Sequence, residues 1–307
     1  MAIELRHLRY FIAVAEEGHI TRAAERLGIQ QPPLSLQIRA LEQELDVQLF
    51  RRVPRGVELT PAGAALLEHA RGVLDQVDRA TAITRRTARG EQGRLVIGFT
   101  SSTPFHPFVP RIIRAFRELS PLVSLQLEES GSSELVQALR NEEIDAAFIR
   151  SPVADIDGLL VRPLLEESMI AALPAAHPLA TVPNAMNSSL ALAQLANETF
   201  ILYKRPGGPG LYDAIITACR GAGFSPRVGQ EAPRILSTLN LVAAGLGVSI
   251  VPESLSRLQM DGVLYRPLAN DPPLHAPLIL ACRRGEQSAA VQRFIDLVQS
   301  NVEHESR

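Results

Sequence analysis

Cysteine is scarce in this chain of 307 residues, which holds only Cys219 and Cys282. Two thiols without ligand spacing make no disulfide framework, so a small stapled secreted scaffold is excluded and a reducing compartment fits. Nothing beside either residue would lower its pKa, which makes buried, inert thiols the default; a redox-sensing pair is the alternative. Long apolar runs are missing as well. No stretch reaches the ~18 residues that a membrane-spanning helix needs. The amino end reads as an amphipathic helix rather than a charged, apolar, cleavable signal. The expectation is a cytoplasmic protein with no membrane partner.

Catalytic constellations are missing too. The seven histidines are scattered, without the paired spacing a metal site needs. No His-Glu-x-x-His or Gly-x-Ser-x-Gly occurs. Gly245-Leu-Gly247 lacks a third glycine and follows a helix instead of a strand, the reverse of a dinucleotide fingerprint. Gly207-Gly-Pro-Gly210 has no Gly-Lys-Ser/Thr and cannot be a phosphate loop. Neither an enzyme nor a cofactor is expected.

Lysine is nearly absent: Lys204 is the only one, so the basic residues are almost all arginine. Genomic base composition accounts for a whole chain of this kind better than bidentate phosphate chemistry does. Residues 1–94 hold 14 arginines against 12 acidic residues, and the remainder 17 basic against 21 acidic. A basic surface must therefore come from placement, and Arg51, Arg52 and Arg55 are the obvious cluster.

What is present is concentrated in residues 19–52. Ala23, Ala24 and Leu27 give one short helix an apolar stripe, and Leu34, Ile38, Leu41 and Leu45 give a second. Gly28 closes the first helix where positive φ is usual, and a stop at Asp46 precedes a basic hairpin. This is the pattern of a helix-turn-helix with a wing, a DNA-reading device; an ordinary αα-hairpin in a larger core is the alternative. With Leu34 at the centre of the buried face, Pro32, Leu36, Arg39 and Gln43 fall opposite, and Gln31 and Ser35 lie on the flank. Gln and Ser can read base edges or phosphates, and Arg can do either. Leu36 admits two readings, a lone exposed leucine or a contact with a thymine methyl. Thr21, Pro33 and Gln37 complete the expected DNA-binding set, with Arg51, Arg52 and Arg55 on phosphates.

Glu4 to Phe11, Ala23-Ala24, Gln31-Pro-Pro-Leu-Ser35, Leu49-Phe-Arg-Arg52 and Leu59-Thr-Pro-Ala-Gly63 resemble the amino-terminal domain of LysR-type transcriptional regulators. Arg94 to Gly98, Glu143 to Ala147 and Gly245 to Pro252 resemble the same family's effector domain, so the likeness spans nearly the whole chain. One departure stands out. Relatives often carry Ser-Arg-Gln where this chain has Ser35-Leu36-Gln37, so a DNA contact made by that arginine is absent here. Glu4 to Phe11, Gln30 to Pro33 and Leu241 to Gly247 look most like members that control aromatic-compound catabolism, with benzoate- or muconate-like effectors. The resemblance implies a dimer of dimers, hence a homotetramer, that binds double-stranded DNA and works with RNA polymerase. A redox-responsive regulator of the same family is the alternative. So is a solute-binding module without a regulatory role, although that would lack the helix-turn-helix.

Boundaries follow from punctuation. Residues 1–60 form the winged helix-turn-helix domain, with Leu5, Leu8, Phe11, Ile12 and Ala15 lining its first helix. Thr60 before Pro61 reads as N-cap and first helical residue of a linker helix over 61–89. Leu66, Ala70, Val73, Val77, Ala80 and Thr84 make a loose a/d stripe suited to pairing with a second copy, or to lying on its own chain. From residue 90 to 307, apolar strands at 95–99, 123–127, 146–149, 200–202, 248–251 and 278–281 alternate with helices at about 108–119, 133–141, 210–221, 234–245 and 287–300. That alternation predicts a mainly parallel α/β sheet. The resemblance implies two lobes like a type 2 periplasmic binding protein, lobe 1 about 90–164 and 268–307, lobe 2 about 165–267.

Ligands in open α/β sheets sit beyond the carboxyl ends of strands. The rule selects Thr100, Ser101, Ser102, Ser132, Arg150, Tyr203 and Lys204. Hydroxyls, free N–H groups at helix starts and fixed positive charge suit a small carboxylate effector. Each has a plain structural reading as well: Ser132 as a cap, Ser101 and Ser102 in a turn, Arg150 paired with an acid. The aromatic-acid relatives place an arginine of a second effector pocket at the position of Glu166, whose carboxylate would repel an acid there.

Overall fold

The computed structural model describes residues 3–150, 157–181, 188–203, 210–269, 272–285 and 288–305, the side chains of 304 and 305 excepted. The chain divides into two units, Met1–Arg86 and Thr87–Arg307.

In the first unit, α1 (Leu5–Glu17), α2 (Ile20–Leu27) and α3 (Gln31–Leu45) enclose one apolar core. Phe11, Val14, Ala23, Leu34 and Leu41 are its fully enclosed members. Leu5, placed on the apolar stripe of α1 by its spacing, is exposed. The register of α1 instead buries His7, Leu8, Phe11, Ala13 and Val14. Gly28 takes φ +67° between α2 and α3, and Asp46 takes φ +53° at the end of α3. These are the left-handed positions where a helix stops. The hairpin of β1 (Phe50–Val53) and β2 (Gly56–Leu59) follows, in register Phe50↔Leu59 to Val53↔Gly56. Gly56 is required there: at φ +141° a Cβ would collide with the carbonyl of Gly18. The N–H of Val57 donates to that same carbonyl at 2.9 Å, fastening the hairpin to the end of α1.

Thr60 caps α4 (Pro61–Ala88) as its sequence indicates, its Oγ1 accepting the N–H of Gly63 at 3.0 Å. Leu66, Leu67, Ala70 and Leu74 pack this helix on the core of its own unit. Val73, beside Leu74, and Ile83, further along, are 44% and 47% exposed, so this unit leaves part of the helix uncovered.

The second unit carries strands β3 (Gln92–Phe99), β4 (Leu122–Glu129), β5 (Ala146–Ile149), β6 (Leu159–Pro174), β7 (Leu190–Ala191), β8 (Thr199–Tyr203), β9 (Arg227–Ala232), β10 (Ser249–Pro252), β11 (Val263–Ala269) and β12 (His275–Arg283). Its helices are α5 (Phe108–Leu119), α6 (Ser132–Arg140), α7 (Leu211–Gly221), α8 (Ile235–Ala243) and α9 (Ala289–Glu305). The sheet path is β4-β3-β5-β12-β6-β11-β7, with β10 also on β6. Among the described residues, parallel pairing joins β3 to β4 and β5, β8 to β9 and, briefly, β11 to β7, with one parallel bridge between Phe200 and Val248. The expectation of a mainly parallel sheet is thus corrected. β12 runs antiparallel to both β5 and β6, and β10 and β11 run antiparallel to β6.

β6 joins the two lobes. Its residues up to Ser168 pair with β12, and those from Met169 onward pair with β10 and β11. Cores lie on both sides of this crossing. In lobe 1, Phe108, Ile112 and Phe116 of α5 meet Phe294 and Val298 of α9, with Phe116 edge-on to Phe294 at 5.4 Å. The carboxyl-terminal strand and helix therefore complete the first core. In lobe 2, α7 covers one core and α8 another.

Candidate functional site

The outward face of α3 begins at Gln31, whose Nε2 donates to Ser35 Oγ at 2.6 Å. Gln31, Pro32, Pro33, Leu36 and Arg39 are exposed, and Ser35 and Gln37 are half-buried, Gln37 with its Oε1 enclosed and unpartnered among the described residues. Thr21 is exposed at the start of α2, its N–H donating to His19 Nδ1 at 3.3 Å. Across from α3 stands the wing. A groove of about 490 Å³ runs between them, with Ser35, Arg39 and Gln43 on one side and Gln48, Phe50 and Arg52 on the other.

Glu42 fastens the two walls of that groove together, a role its sequence position did not reveal. Its carboxylate is 9% exposed and accepts the N–H groups of Leu49 at 2.8 Å and Phe50 at 3.2 Å. Strand alternation then separates the wing arginines. Arg51 is paired with Glu58 across the hairpin at 2.6 Å, while Arg52 lines the groove with Arg39. Arg55 is exposed at the turn, and none of Arg39, Arg52 and Arg55 has an ion pair among the described residues. Behind this face Glu16 holds Arg26 and Arg71, both at 2.8 Å. The hydrogen bond from Arg71, then that from Arg26, keeps the Glu16 carboxyl below the usual range.

Of the second set of expected residues, Arg150 and Tyr203 lie together, and Arg150 reaches β6 at the crossing through Glu167. Thr100, at the end of β3, donates its N–H to Phe148 O at 3.1 Å, while its Oγ1 is buried without a partner among the described residues. Ser102 is buried and Ser101 half-buried, beside Thr103, whose Oγ1 donates to Thr100 O at 3.0 Å. Ser132 opens α6 after Gly131. Tyr203 brings the end of β8 to Arg150 at the end of β5; burial raises the Tyr203 hydroxyl pKa, and Arg150 opposes the shift. Lys204 lies outside the described residues.

Arg150 does not offer unpaired charge. Its guanidinium, 3% exposed, is bonded to Glu167 and to Ala276 O at 3.3 Å. The other carboxylate oxygen of Glu167 accepts the N–H of Ser254 at 2.9 Å, so the pair ties β5, β6 and the turn after β10 together. Burial pushes the Arg150 pKa down, and Glu167 offsets part of the shift. Along β6, alternation leaves Glu166 exposed and turns its neighbour Glu167 inward. Nothing local marked which of the two neighbours would point in.

The cysteines sit in different cores, Cys219 in lobe 2 and Cys282 in lobe 1. Burial pushes the Cys219 thiol up to about 11, which leaves little thiolate to oxidise. Among the described residues no cluster of acids, histidines and cysteines could hold a metal, and no helix is long and apolar enough to cross a membrane.

Residues 5–64 match the model of bacterial regulatory helix-turn-helix proteins of the lysR family, and residues 88–303 match the LysR substrate binding domain. The chain is 39% identical over 295 residues to the HTH-type transcriptional regulator BudR of Raoultella terrigena, covering 96% of this chain and 100% of that one. It is similar to full-length CbnR complexed with its target DNA at TM-score 0.85 and 29% identity, over 98% of this chain and 100% of that one. It also resembles the effector binding domain of BenM with its effector benzoate, at TM-score 0.61 and 27% identity, over 70% of this chain and 94% of that one.

Proposed function

The chain belongs to the LysR family of DNA-binding transcriptional regulators with an effector-binding domain, and we propose that it is a cytoplasmic regulator that reads an interrupted inverted repeat in response to a small organic anion. The observation that carries the DNA part is the groove between α3 and the wing, with Arg39 and Arg52, neither ion-paired among the described residues, on its two sides. Gln31, Ser35, Leu36 and Arg39 meet the major groove, supported at the edges by Thr21, Pro32, Pro33 and Gln37. Arg52 and Arg55 hold phosphates, and Arg51 does so only after leaving Glu58. Two copies pair through residues 61–89, and two such dimers join through the effector domains, with RNA polymerase as a further partner.

The effector is a small carboxylate held by Thr100, Ser101, Ser102, Ser132, Tyr203 and Lys204 at the ends of strands from both lobes. Arg150 acts there as a neutralised scaffold for the site, through its Nε and its bond to Glu167, rather than as a free cation. Aromatic acids are the first class to test, since the BenM domain named above binds benzoate. Occupancy shifts the two lobes between arrangements and with them the spacing of the DNA-binding domains. Binding of full-length protein to a labelled duplex, with and without benzoate, muconate and aliphatic acids, tests the reading. A salt-dependent complex whose footprint changes with one of these acids is expected; a protein that binds no duplex refutes it.

A further inference from the structure

Leu36 is a large apolar side chain on the α3 reading face, where polar contacts do not explain its chemistry. It is 64% exposed, whereas Leu34, Ile38 and Leu41 of the same helix are buried. At ~100° per residue it lies opposite Leu34 on the outward face, one turn after exposed Pro32 and about 60° round the helix from Arg39. Pro32 and Leu36, four residues apart, form one apolar step on the helix surface. The polar flank beside it is tethered, since Gln31 donates to Ser35 at 2.6 Å. A leucine exposed to water needs no purpose. A leucine pressed against base edges is different, because it strips water from donors and acceptors without replacing their hydrogen bonds. In the major groove thymine relieves that conflict, by presenting its C5 methyl group.

We propose that Leu36, with Pro32 beside it, is a specificity-determining residue that reads a thymine methyl at a fixed position of each half-site. The inference rests on the DNA-reading face proposed above and adds the base that this chain selects. Full-length protein is used to enrich duplexes from a randomised pool, and the enriched duplex is remade with each thymine replaced singly by deoxyuridine. At one position per half-site, loss of the methyl should weaken wild-type binding by about fourfold, the factor for burying one methyl group. Leu36→Ala should be indifferent to that same replacement, and so should Leu36→Gln, which keeps the side-chain length; both changes lie on solvent and leave the fold intact. Wild-type binding that ignores every deoxyuridine, or a Leu36→Ala protein as sensitive as wild type, overturns the inference and leaves the DNA reading standing. Failure to enrich any duplex overturns both.

Discussion

The carboxylate of Glu42, near the end of α3, accepts the N–H of Leu49 at 2.8 Å, and through it the start of the wing is held against the helix. Glu42→Ala should leave two N–H groups without their charged acceptor, at about 1.5–3 kcal/mol for a hydrogen bond to a charged group. The expected result is a less stable DNA-binding unit by thermal melting and weaker binding to any duplex. Unchanged melting and affinity would show that the wing is held by its apolar contacts alone.

Arg51 and Arg52 are neighbours on opposite faces of the hairpin. Arg52→Ala should lower the slope of log affinity against log salt by about one, as loss of one phosphate contact does. Arg51→Ala should lower it less, because its guanidinium is committed to Glu58. Gln31→Ala should instead relax preference at one base pair, at ~1–3 kcal/mol. Titrations at several salt concentrations separate these outcomes, and equal slopes for Arg51→Ala and Arg52→Ala would refute the face assignment.

Val73 is 44% exposed on α4 although it lies on the apolar stripe. Replacing Val73 and Val77 together with Asp would bury unpaired charge at a helix seam, a cost of several kcal/mol. Sedimentation should then report smaller species. A double variant that keeps the native mass would place the stripe within one chain.

The Arg150–Glu167 pair is buried on both sides. Glu167→Gln leaves the guanidinium without its counter-charge, and breaking such a pair costs about 3–5 kcal/mol. The melting temperature of the effector domain should fall. Ser102→Ala with Ser132→Ala should leave it nearly unchanged and abolish the heat of carboxylate binding in calorimetry. Undiminished heat in that double variant would remove the strand-end assignment.

Glu16 is held below the ordinary carboxyl range by Arg71 and Arg26. Its contribution to stability is therefore complete above the unfolded pKa and lost as pH falls through the lower folded value. Wild type should exceed Glu16→Gln in melting temperature at neutral pH, and the gap should close in acid. A gap that persists at low pH would mean that packing, not charge, is what the substitution disturbs.

The helices were legible because their signals are local. Thr60 before Pro61, Gly28 and Asp46 mark ends through their own hydrogen bonds or backbone angles, and apolar spacing placed α5 to α8 within two residues of their observed limits. The Gln31–Arg39 face was legible for the same reason, since helical phase alone decides what points away from Leu34. Strands depend on partners far along the chain. β6 carries Pro163, two adjacent glutamates and Pro174, and no period in those residues predicts a strand of 16. Its pairing with β12, β10 and β11 decides that Glu167 turns inward to Arg150 and Glu166 outward. The same rule parted Arg51 from Arg52. Residue types alone determined that this chain carries a DNA-reading face and hydroxyls at strand ends. Which charges remain free to act was decided by long-range pairing, because a one-residue step along a strand reverses the side a side chain faces.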